Sequence, residues 1–173
     1  MNSPKLKIFA CGGTIDKVYF DAKSSFQVGE PQVVTVLRES NVCVDYEVES
    51  ILRKDSLEMT AADRQLICTA VSQAEQSRIL ITHGTDTMIA TARALLGIRG
   101  KTIVLTGSME PAKFKVSDAG FNIGCAIAAV QTLPEGVYIT MNGMILDPRH
   151  AVKNVGANRF EQPGMAVVNP YLT

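Results

Sequence analysis

Two short strings in the sequence carry groups that could attack a carbonyl carbon. Residues 81–88 read ITHGTDTM and place three threonines, a histidine and an aspartate at the end of an apolar run. Residues 11–15 read CGGTI, in which two glycines allow a tight turn that exposes the hydroxyl of Thr14. A threonine hydroxyl becomes a nucleophile when a neighbouring base takes its proton and nearby dipoles stabilise the developing charge. The strings therefore indicate nucleophilic catalysis, with Thr14, Thr85 and Asp86 as candidates.

Both strings also have a purely structural explanation. CGGT fits an ordinary turn between a strand and a helix, and Thr85 or Thr87 could cap the following helix, with Asp86 favoured by its dipole. Lys101 opens the fourth predicted strand; in a site it would approach Asp86, and otherwise it is a solvent-exposed lysine. Capping accounts for one threonine and one aspartate but not for the whole string. We therefore keep the catalytic interpretation and assign the cap to Thr87.

The sequence lacks the patterns of common metal and nucleotide sites. His83 and His150 are the two histidines, and neither is spaced with carboxylates or cysteines as a metal site requires. The chain contains neither GxGxxG nor GxxxxGK[ST], the usual dinucleotide and phosphate loops. We therefore expect no metal and no cofactor, and we interpret His83 as a structural hydrogen-bonding residue.

Charge and composition exclude several classes of partner. The 17 basic and 17 acidic residues cancel, and no basic stripe could neutralise a phosphate backbone, so we expect no nucleic acid. No run approaches the roughly 18 apolar residues of a membrane span, and the apolar N-terminal run is too short for a signal peptide. The four cysteines show no CxxC spacing and are interpreted as free thiols in a reducing compartment. These features predict a cytoplasmic protein.

Apolar runs alternate with longer helical segments, the pattern of βαβ units. The predicted strands are 5–10, 45–51, 78–82, 102–106 and 137–141, and the predicted helices are 31–40, 60–77, 87–96 and 117–133. Thr60 and Asp63 form an acidic variant of the capping box. Right-handed crossovers place helices on both faces of a parallel sheet, so we predict an α/β fold of Rossmann-like or flavodoxin-like type. We expect residues 1–173 to form one domain, with no second domain.

The segment from Gly12 to Glu30 has no helical or strand assignment and is predicted to be a mobile lid. In a parallel sheet the ligand crevice lies beyond the carboxyl ends of the strands. All five predicted strands are followed by hydroxyls, amides, carboxylates or glycines. We therefore expect the site at this edge of the sheet.

Taken together, these strings resemble the bacterial type I/II L-asparaginases, which are amidohydrolases with a threonine nucleophile. CGGTI is similar to the family's TGGTI motif, and ILITHGTDTM, residues 79–88, is a nearly complete second motif. Cys11 stands where threonine is usual, and Arg78 where glycine is common. Further similarity runs through KDSLEMT, KTIVLTGSMEP, SDAGFNI and NGMILDPRHAVKNVGANRF. The resemblance implies the fold of the family's N-terminal domain.

The resemblance also implies roles for particular residues. Thr14 would attack the side-chain amide, and Thr85, Asp86 and Lys101 would form the second catalytic group. The substrate would contact Gly13, Ser56, Thr85 and Asp86, with Ser56 at its α-carboxylate and Asp86 at its α-ammonium. Tyr19 would match the family's mobile tyrosine. The implied reaction converts L-asparagine to L-aspartate and ammonia through an acyl-threonine, with glutamine as a minor substrate.

Two other functions fit the same resemblance. One is an amidase subunit that supplies ammonia to an amidotransferase, and the other is a non-catalytic module that binds asparagine or aspartate. Related enzymes are oligomers, so we expect a homodimer or homotetramer.

Overall fold

The central strands form where apolar runs are covered on both faces. The structure, a computed structural model, describes residues 5–20 and 25–164. Every residue of the strand Thr102–Thr106 is buried, and so are four of the five in Arg78–Thr82. Near-continuous burial of this kind is typical of parallel strands packed between two layers of helices.

The elements follow one another with short connections. The strands are β1 Leu6–Gly12, β2 Lys17–Phe20, β3 Ser25–Val28, β4 Tyr46–Lys54, β5 Arg78–Thr82, β6 Thr102–Thr106, β7 Gly136–Met141, β8 Met144–Leu146, β9 Val152–Asn154 and β10 Arg159–Glu161. The α-helices are α1 Val33–Glu39, α2 Ala61–Gln73, α3 Met88–Ala94 and α4 Ala119–Thr132. Short 3₁₀ turns at Thr14–Asp16 and Ser56–Glu58 follow β1 and β4.

Six strands form the main sheet in the order β4-β1-β5-β6-β7-β8. The first five are mutually parallel, and β8 pairs antiparallel with β7. Numbered along the chain, the parallel strands have the order 2-1-3-4-5, which is the flavodoxin-like arrangement. The predicted α/β fold class is confirmed.

Helices cover both faces of this sheet. On one face Ile79 and Ile81 pack with Ile67 of α2 and Met88 of α3. On the other face Leu80 belongs to a second core cluster, whose helical members include Val33 and Leu37 of α1 and Ile123, Ala126 and Val130 of α4. The alternation along β5 follows from the period of two in a strand.

The helix starts agree with the predicted caps in one case and differ in another. Thr60 and Asp63 form the predicted capping box at α2, with the Thr60 amide donating to Asp63 over 2.8 Å. Thr87 occupies the N-cap position of α3, but its side chain does not cap the helix. Its hydroxyl donates to the Ser56 carbonyl over 2.7 Å, so it joins two loops.

The prediction of an irregular loop from Gly12 to Glu30 is wrong for the residues that the structure describes. After the 3₁₀ turn, β2 and β3 form an antiparallel hairpin in which Tyr19 lies opposite Phe26. Both strands alternate polar and apolar residues, and this period of two is a strand signal. Residues 21–24, which connect them, lie outside the described part.

Among the described residues no helix has the length and apolar character needed to cross a membrane.

Candidate active site

The candidate site residues lie at the edge of the sheet where the order of the strands changes direction, between β1 and β5. The chain passes from β1 to β4 on one side and then to β5 on the other, so the carboxyl ends of β1 and β5 flank the switch point of the sheet. Ligands of open α/β sheets bind at such points. CGGT follows β1 here and HGTDT follows β5, so the fold brings the two strings together.

Close contacts at two glycines join the loops after β1, β5 and β4. A Cβ atom on Gly13, whose φ is +90°, would lie 2.2 Å from the Gly84 Cα. A Cβ atom on Gly84 would lie 2.5 Å from the Ser56 Cβ. Because such distances leave no room for a side chain, glycine is required where the loops touch. Gly13 and Ser56, both expected in the substrate site, therefore lie against the same residue.

Lys153 completes the group formed by Thr85 and Asp86. It is on β9, and its Nζ donates to Thr85 Oγ1 over 2.8 Å and to Asp86 Oδ1 over 2.6 Å. Thr85 is only 4% exposed, and the Lys153 side chain is 15% exposed. Since the threonine oxygen accepts from an ammonium, the hydroxyl hydrogen remains available to a ligand. The three side chains form a proton-carrying group at the edge of the site.

The expected contact between Lys101 and Asp86 is wrong. Lys101 precedes β6, at the amino end of the sheet, and its Nζ donates to the carbonyls of Ala74 and Gln76 over 2.6 and 2.8 Å. These carbonyls lie at and just beyond the end of α2, where a cation is favoured by the helix dipole. Lys101 therefore stabilises a helix end.

Thr14 and Tyr19 lie on the segment that follows β1. Thr14 is half-buried and begins the 3₁₀ turn directly after Gly13, so its backbone adjoins the contact with Gly84. Tyr19 is on β2 with 53% of its surface exposed. Its ring packs edge-on against Phe26, with the centroids 5.4 Å apart. The structure therefore places Thr14 at the site and Tyr19 on the neighbouring hairpin.

His83 is buried behind the site, as its interpreted structural role requires. Its Nδ1 lies 2.7 Å from the Gly84 carbonyl and its Nε2 lies 2.8 Å from the Thr91 hydroxyl. Burial lowers the pKa of His83 to about 4, while the bond to Gly84 opposes this shift. The imidazole is therefore neutral at pH 7 and holds the turn that carries Thr85.

Grouped metal ligands do not occur at this edge among the described residues, and a cavity beside β8 lies apart from the site. Within residues 5–20 and 25–164, no three His, Cys, Asp or Glu side chains are grouped to hold a metal ion. A cavity of about 550 Å³ lies elsewhere, along β8 and the amino end of β7, and none of the site residues lines it. The site is recognised by its side chains and loop contacts.

Two features of the sequence point to the segment that carries Lys153. Asn142 and Gly143 form a turn with φ values of 55° and 76°, and Asn-Gly between apolar residues is a strong hairpin signal. The hairpin turns the chain back after β7, and β9 and β10 follow it. Lys153 lies in NGMILDPRHAVKNVGANRF, one of the strings that resembles the family. This string, and not the start of β6, supplies the lysine.

A family model described as "Asparaginase, N-terminal" matches residues 5–169. The chain belongs to the asparaginase family. The match includes every residue of the site described above.

Individual relatives agree with this assignment. The L-asparaginase of Thermococcus kodakarensis is 34% identical over 167 residues, which cover 91% of this chain and 50% of that protein. The solved structure of the thermostable L-asparaginase from Thermococcus kodakarensis superposes on this chain with a TM-score of 0.80. The two sequences are 29% identical, and the match covers 91% of this chain and 51% of that one. A probable cytoplasmic L-asparaginase of Campylobacter jejuni gives 0.77 at 27% identity, over 93% and 52%.

One further relative is named as part of an amidotransferase and not as an asparaginase. A glutamyl-tRNA(Gln) amidotransferase polypeptide of Methanosarcina barkeri is 30% identical over 152 residues, which cover 83% of this chain and 36% of that protein. The chain spans about half the length of the asparaginases that it matches.

Proposed function

We propose that this asparaginase domain hydrolyses L-asparagine to L-aspartate and ammonia through an acyl-threonine intermediate. The observation that carries this proposal is the pair of bonds from Lys153 to Thr85 and Asp86, beside the contact of Gly13 with Gly84. These contacts bring a hydroxyl with an available proton close to the loop that bears Thr14. An amide carbonyl bound between them would meet a nucleophile on one side and a proton donor on the other.

In the first half of the reaction, Thr14 Oγ1 attacks the carbonyl carbon of the side-chain amide and loses its proton. Backbone amides of the turns after β1 and β5 stabilise the oxyanion that forms. The amide nitrogen gains a proton from Thr85, and ammonia leaves as the carbon–nitrogen bond breaks. Lys153 restores the proton to Thr85, and the proton that Thr14 releases passes through water to Lys153, so that both groups are protonated again when ammonia has left.

In the second half, water attacks the acyl-threonine and the bond to Thr14 Oγ1 breaks. Thr85 and Lys153 pass the water's proton back to Thr14, which restores the enzyme and releases aspartate. No step needs a metal or an organic cofactor.

Substrate binding follows from charge and position. Asp86 keeps 40% of its side chain exposed beside Lys153 and can accept the substrate's α-ammonium. Ser56 lies against Gly84, and this position supports a role for Ser56 in binding the α-carboxylate. Glutamine is one methylene longer than asparagine, and a methylene is worth only about 1 to 3 kcal/mol of discrimination. Glutamine is therefore a minor second substrate.

The assay is ammonia release from L-asparagine and L-glutamine, measured side by side on the 173-residue chain without added metal. Thr14→Ala and Thr85→Ala should each abolish release while the circular dichroism spectrum stays unchanged. Thr69→Ala is the matched control, because Thr69 is on α2 and its hydroxyl donates to its own helix. Full activity in both site variants contradicts the mechanism. Release by this chain alone also tests whether the domain of residues 1–173 is active without a second domain.

The second candidate, an ammonia-supplying subunit, is favoured by the match to the Methanosarcina protein. It predicts slow hydrolysis of free asparagine by the chain alone and faster ammonia release with an amidotransferase partner. A non-catalytic binding module predicts saturable aspartate binding without ammonia release.

We also propose a homodimer or homotetramer in the cytoplasm. Exposed apolar side chains would be covered by another subunit; among them are Leu57, next to Ser56, and Val155, two residues after Lys153, at 73% and 77%. All four cysteines are free, as expected in a reducing compartment, and the Campylobacter neighbour is named a probable cytoplasmic enzyme. Sedimentation of the purified chain measures the oligomeric state.

A further inference from the structure

A buried carboxylate lies two residues beyond the candidate nucleophile and has no part in the proposed reaction. Asp16 ends the 3₁₀ turn that Thr14 begins, and only 1% of its surface is exposed. Carboxylates are seldom fully buried without a compensating charge or hydrogen bond. The contacts of Asp16 therefore indicate what the residue does.

Asp16 closes the nucleophile's turn and connects it to two other points of the backbone. Its amide donates to the Gly13 carbonyl over 3.1 Å, which closes the turn around Thr14. Its carbonyl accepts from the Gly29 amide over 2.8 Å, just beyond β3. Its side-chain Oδ1 accepts from the Gln32 amide over 2.7 Å, at the residue that precedes α1. The β2–β3 hairpin begins directly after Asp16, and the residue that follows it, Gly29, is bonded to Asp16. Both ends of the hairpin are therefore fixed at this residue.

A second set of contacts holds the turn from the outside. Ala112, in the loop after β6, donates to the Ile15 carbonyl over 3.1 Å. Lys17 pairs with Asp55 at 2.7 Å, which ties the start of the hairpin to the loop after β4. Among the bonds described for residues 14–16 of the turn, the one that the Gln32 amide donates to Asp16 is the one that involves a charged side chain.

We propose that Asp16 is a positioning residue whose ionised carboxylate locks the turn bearing Thr14 to the base of the hairpin and to α1. This inference rests on the proposed function, in which Thr14 is the nucleophile. A bond to an ionised acceptor is about twice as strong as one to a neutral acceptor, so protonation of Asp16 loosens the turn. The site is then less well ordered, and kcat falls while the substrate contacts at Ser56 and Asp86 remain.

The carboxylate changes its charge within the working range of a cytoplasmic enzyme. Burial raises the pKa of Asp16 to about 6, while the Gln32 amide and the Arg53 guanidinium oppose the shift. The charged or titratable groups near this turn and its partner Gln32 are Cys11 on β1, Lys17 on β2, Glu30 before α1, Arg53 on β4 and Asp55 after β4, and Glu39 on α1 and Lys113 in the loop after β6 line a cavity with Gln32. Arg53 and Lys17 are themselves paired with Glu30 and Asp55, which leaves the Gln32 amide as the direct partner of Asp16.

The first test is the pH profile of kcat for ammonia release from asparagine between about pH 5 and 8. In the unsubstituted protein kcat should fall about five- to tenfold with a midpoint near pH 6. Asp16→Asn keeps an oxygen acceptor without the charge, so this midpoint should disappear while much of the activity at acidic pH remains. Asp16→Ala should lower kcat at neutral pH by about tenfold or more with a smaller change in KM.

Two controls separate Asp16 from its surroundings. Gln32→Ala keeps the backbone amide that donates to Asp16 and should keep the midpoint. His150→Gln removes the exposed one of the two histidines and should also keep it. Thermal unfolding verifies that each variant is folded at the pH of the assay. An Asp16→Asn profile that retains the midpoint near pH 6 overturns the proposal.

A second measurement does not depend on activity. Amide hydrogen exchange of Gly29 and Gln32 should speed up as the pH falls from neutral to below the Asp16 pKa, after correction for the intrinsic rate. Asp16→Asn should show no such change. If the protein releases no ammonia but exchange follows this pattern, the proposed function fails and the lock stands. If ammonia is released and exchange at Gly29 and Gln32 is independent of Asp16, the lock fails alone.

Discussion

Replacement of Lys153 by methionine tests which lysine serves the site. Methionine has a similar length and no charge, so Lys153→Met removes the two bonds to Thr85 and Asp86 with little change in volume. Groups that pass protons in a transition state contribute about 100- to 10,000-fold to rate. We therefore expect kcat for asparagine to fall by at least about 100-fold, which corresponds to about 2.7 kcal/mol of transition-state stabilisation.

The effect of Lys153→Met on stability should be smaller than its effect on catalysis. Thr85 is buried, so the loss of its partner costs about 1 to 3 kcal/mol of unfolding free energy. Asp86 is partly exposed, and water replaces the ammonium at little cost. Chemical denaturation at neutral pH measures this difference.

Lys101→Met is the matched control, because it makes the same change at the other end of the sheet. Its ammonium donates to the carbonyls of Ala74 and Gln76, so we expect a loss of about 1 to 3 kcal/mol in unfolding free energy. Activity per folded molecule should stay within about twofold of the unsubstituted protein, because no contact connects Lys101 with Thr85 in the described residues. An inactive, folded Lys101→Met together with an active Lys153→Met refutes the assignment of Lys153.

The contact at Gly84 and the buried groups His83 and Asp16 give further predictions, the first on activity and the others on how stability depends on pH. Gly84→Ala places a Cβ 2.5 Å from the Ser56 Cβ, so the loops must separate, and we expect activity to fall by about 100-fold or more. Gly97→Ala is its control, since its Cβ would meet no atom within 4 Å, and unchanged activity in both variants would contradict the tight contact. His83 is neutral in the folded state with a pKa of about 4, against 6.5 when unfolded, so stability should fall as pH drops from 6.5 to 4 by up to about 3 kcal/mol. Asp16, with its pKa raised to about 6, has the opposite sign and gains stability on acidification, so Asp16→Asn should show a steeper acid loss in urea titrations.

The buried strands could be predicted from sequence because burial on both faces leaves a continuous apolar run. The predicted bounds of β5 and β6, 78–82 and 102–106, are those of the structure. The hairpin from Lys17 to Val28 was not predicted, because its strands are partly exposed and mix aromatic with polar residues. The alternation of polar and apolar residues over these short strands is a weak strand signal. Gly12 and Gly13 at the start of the segment favoured a loop instead.

The choice of Lys101 could have been rejected from chain direction alone. A residue before one parallel strand and a residue after its neighbour lie at opposite ends of the sheet. β6 has five residues at about 3.3 Å each, which separates the two ends by roughly 16 Å. A lysine side chain cannot span this distance, so only residues that lie at the carboxyl end of the parallel strands could have reached Thr85. Sequence similarity identified the strings, and topology decided which of their residues meet.

Lys153 reaches Thr85 only because a polar network fixes the segment after β7. Asn122 on α4 donates to the Gly107 carbonyl over 3.0 Å and accepts from the Asn142 amide over 3.2 Å. Asn142 in turn accepts from the amide of Phe160 over 2.9 Å, and the Phe160 ring is buried in the core. Phe160 lies on β10, which pairs with β9 and so sets the position of Lys153. The position of Lys153 beside Thr85 therefore depends on contacts made by α4, the turn after β7 and β10, and the local sequence around Thr85 contains no information about them.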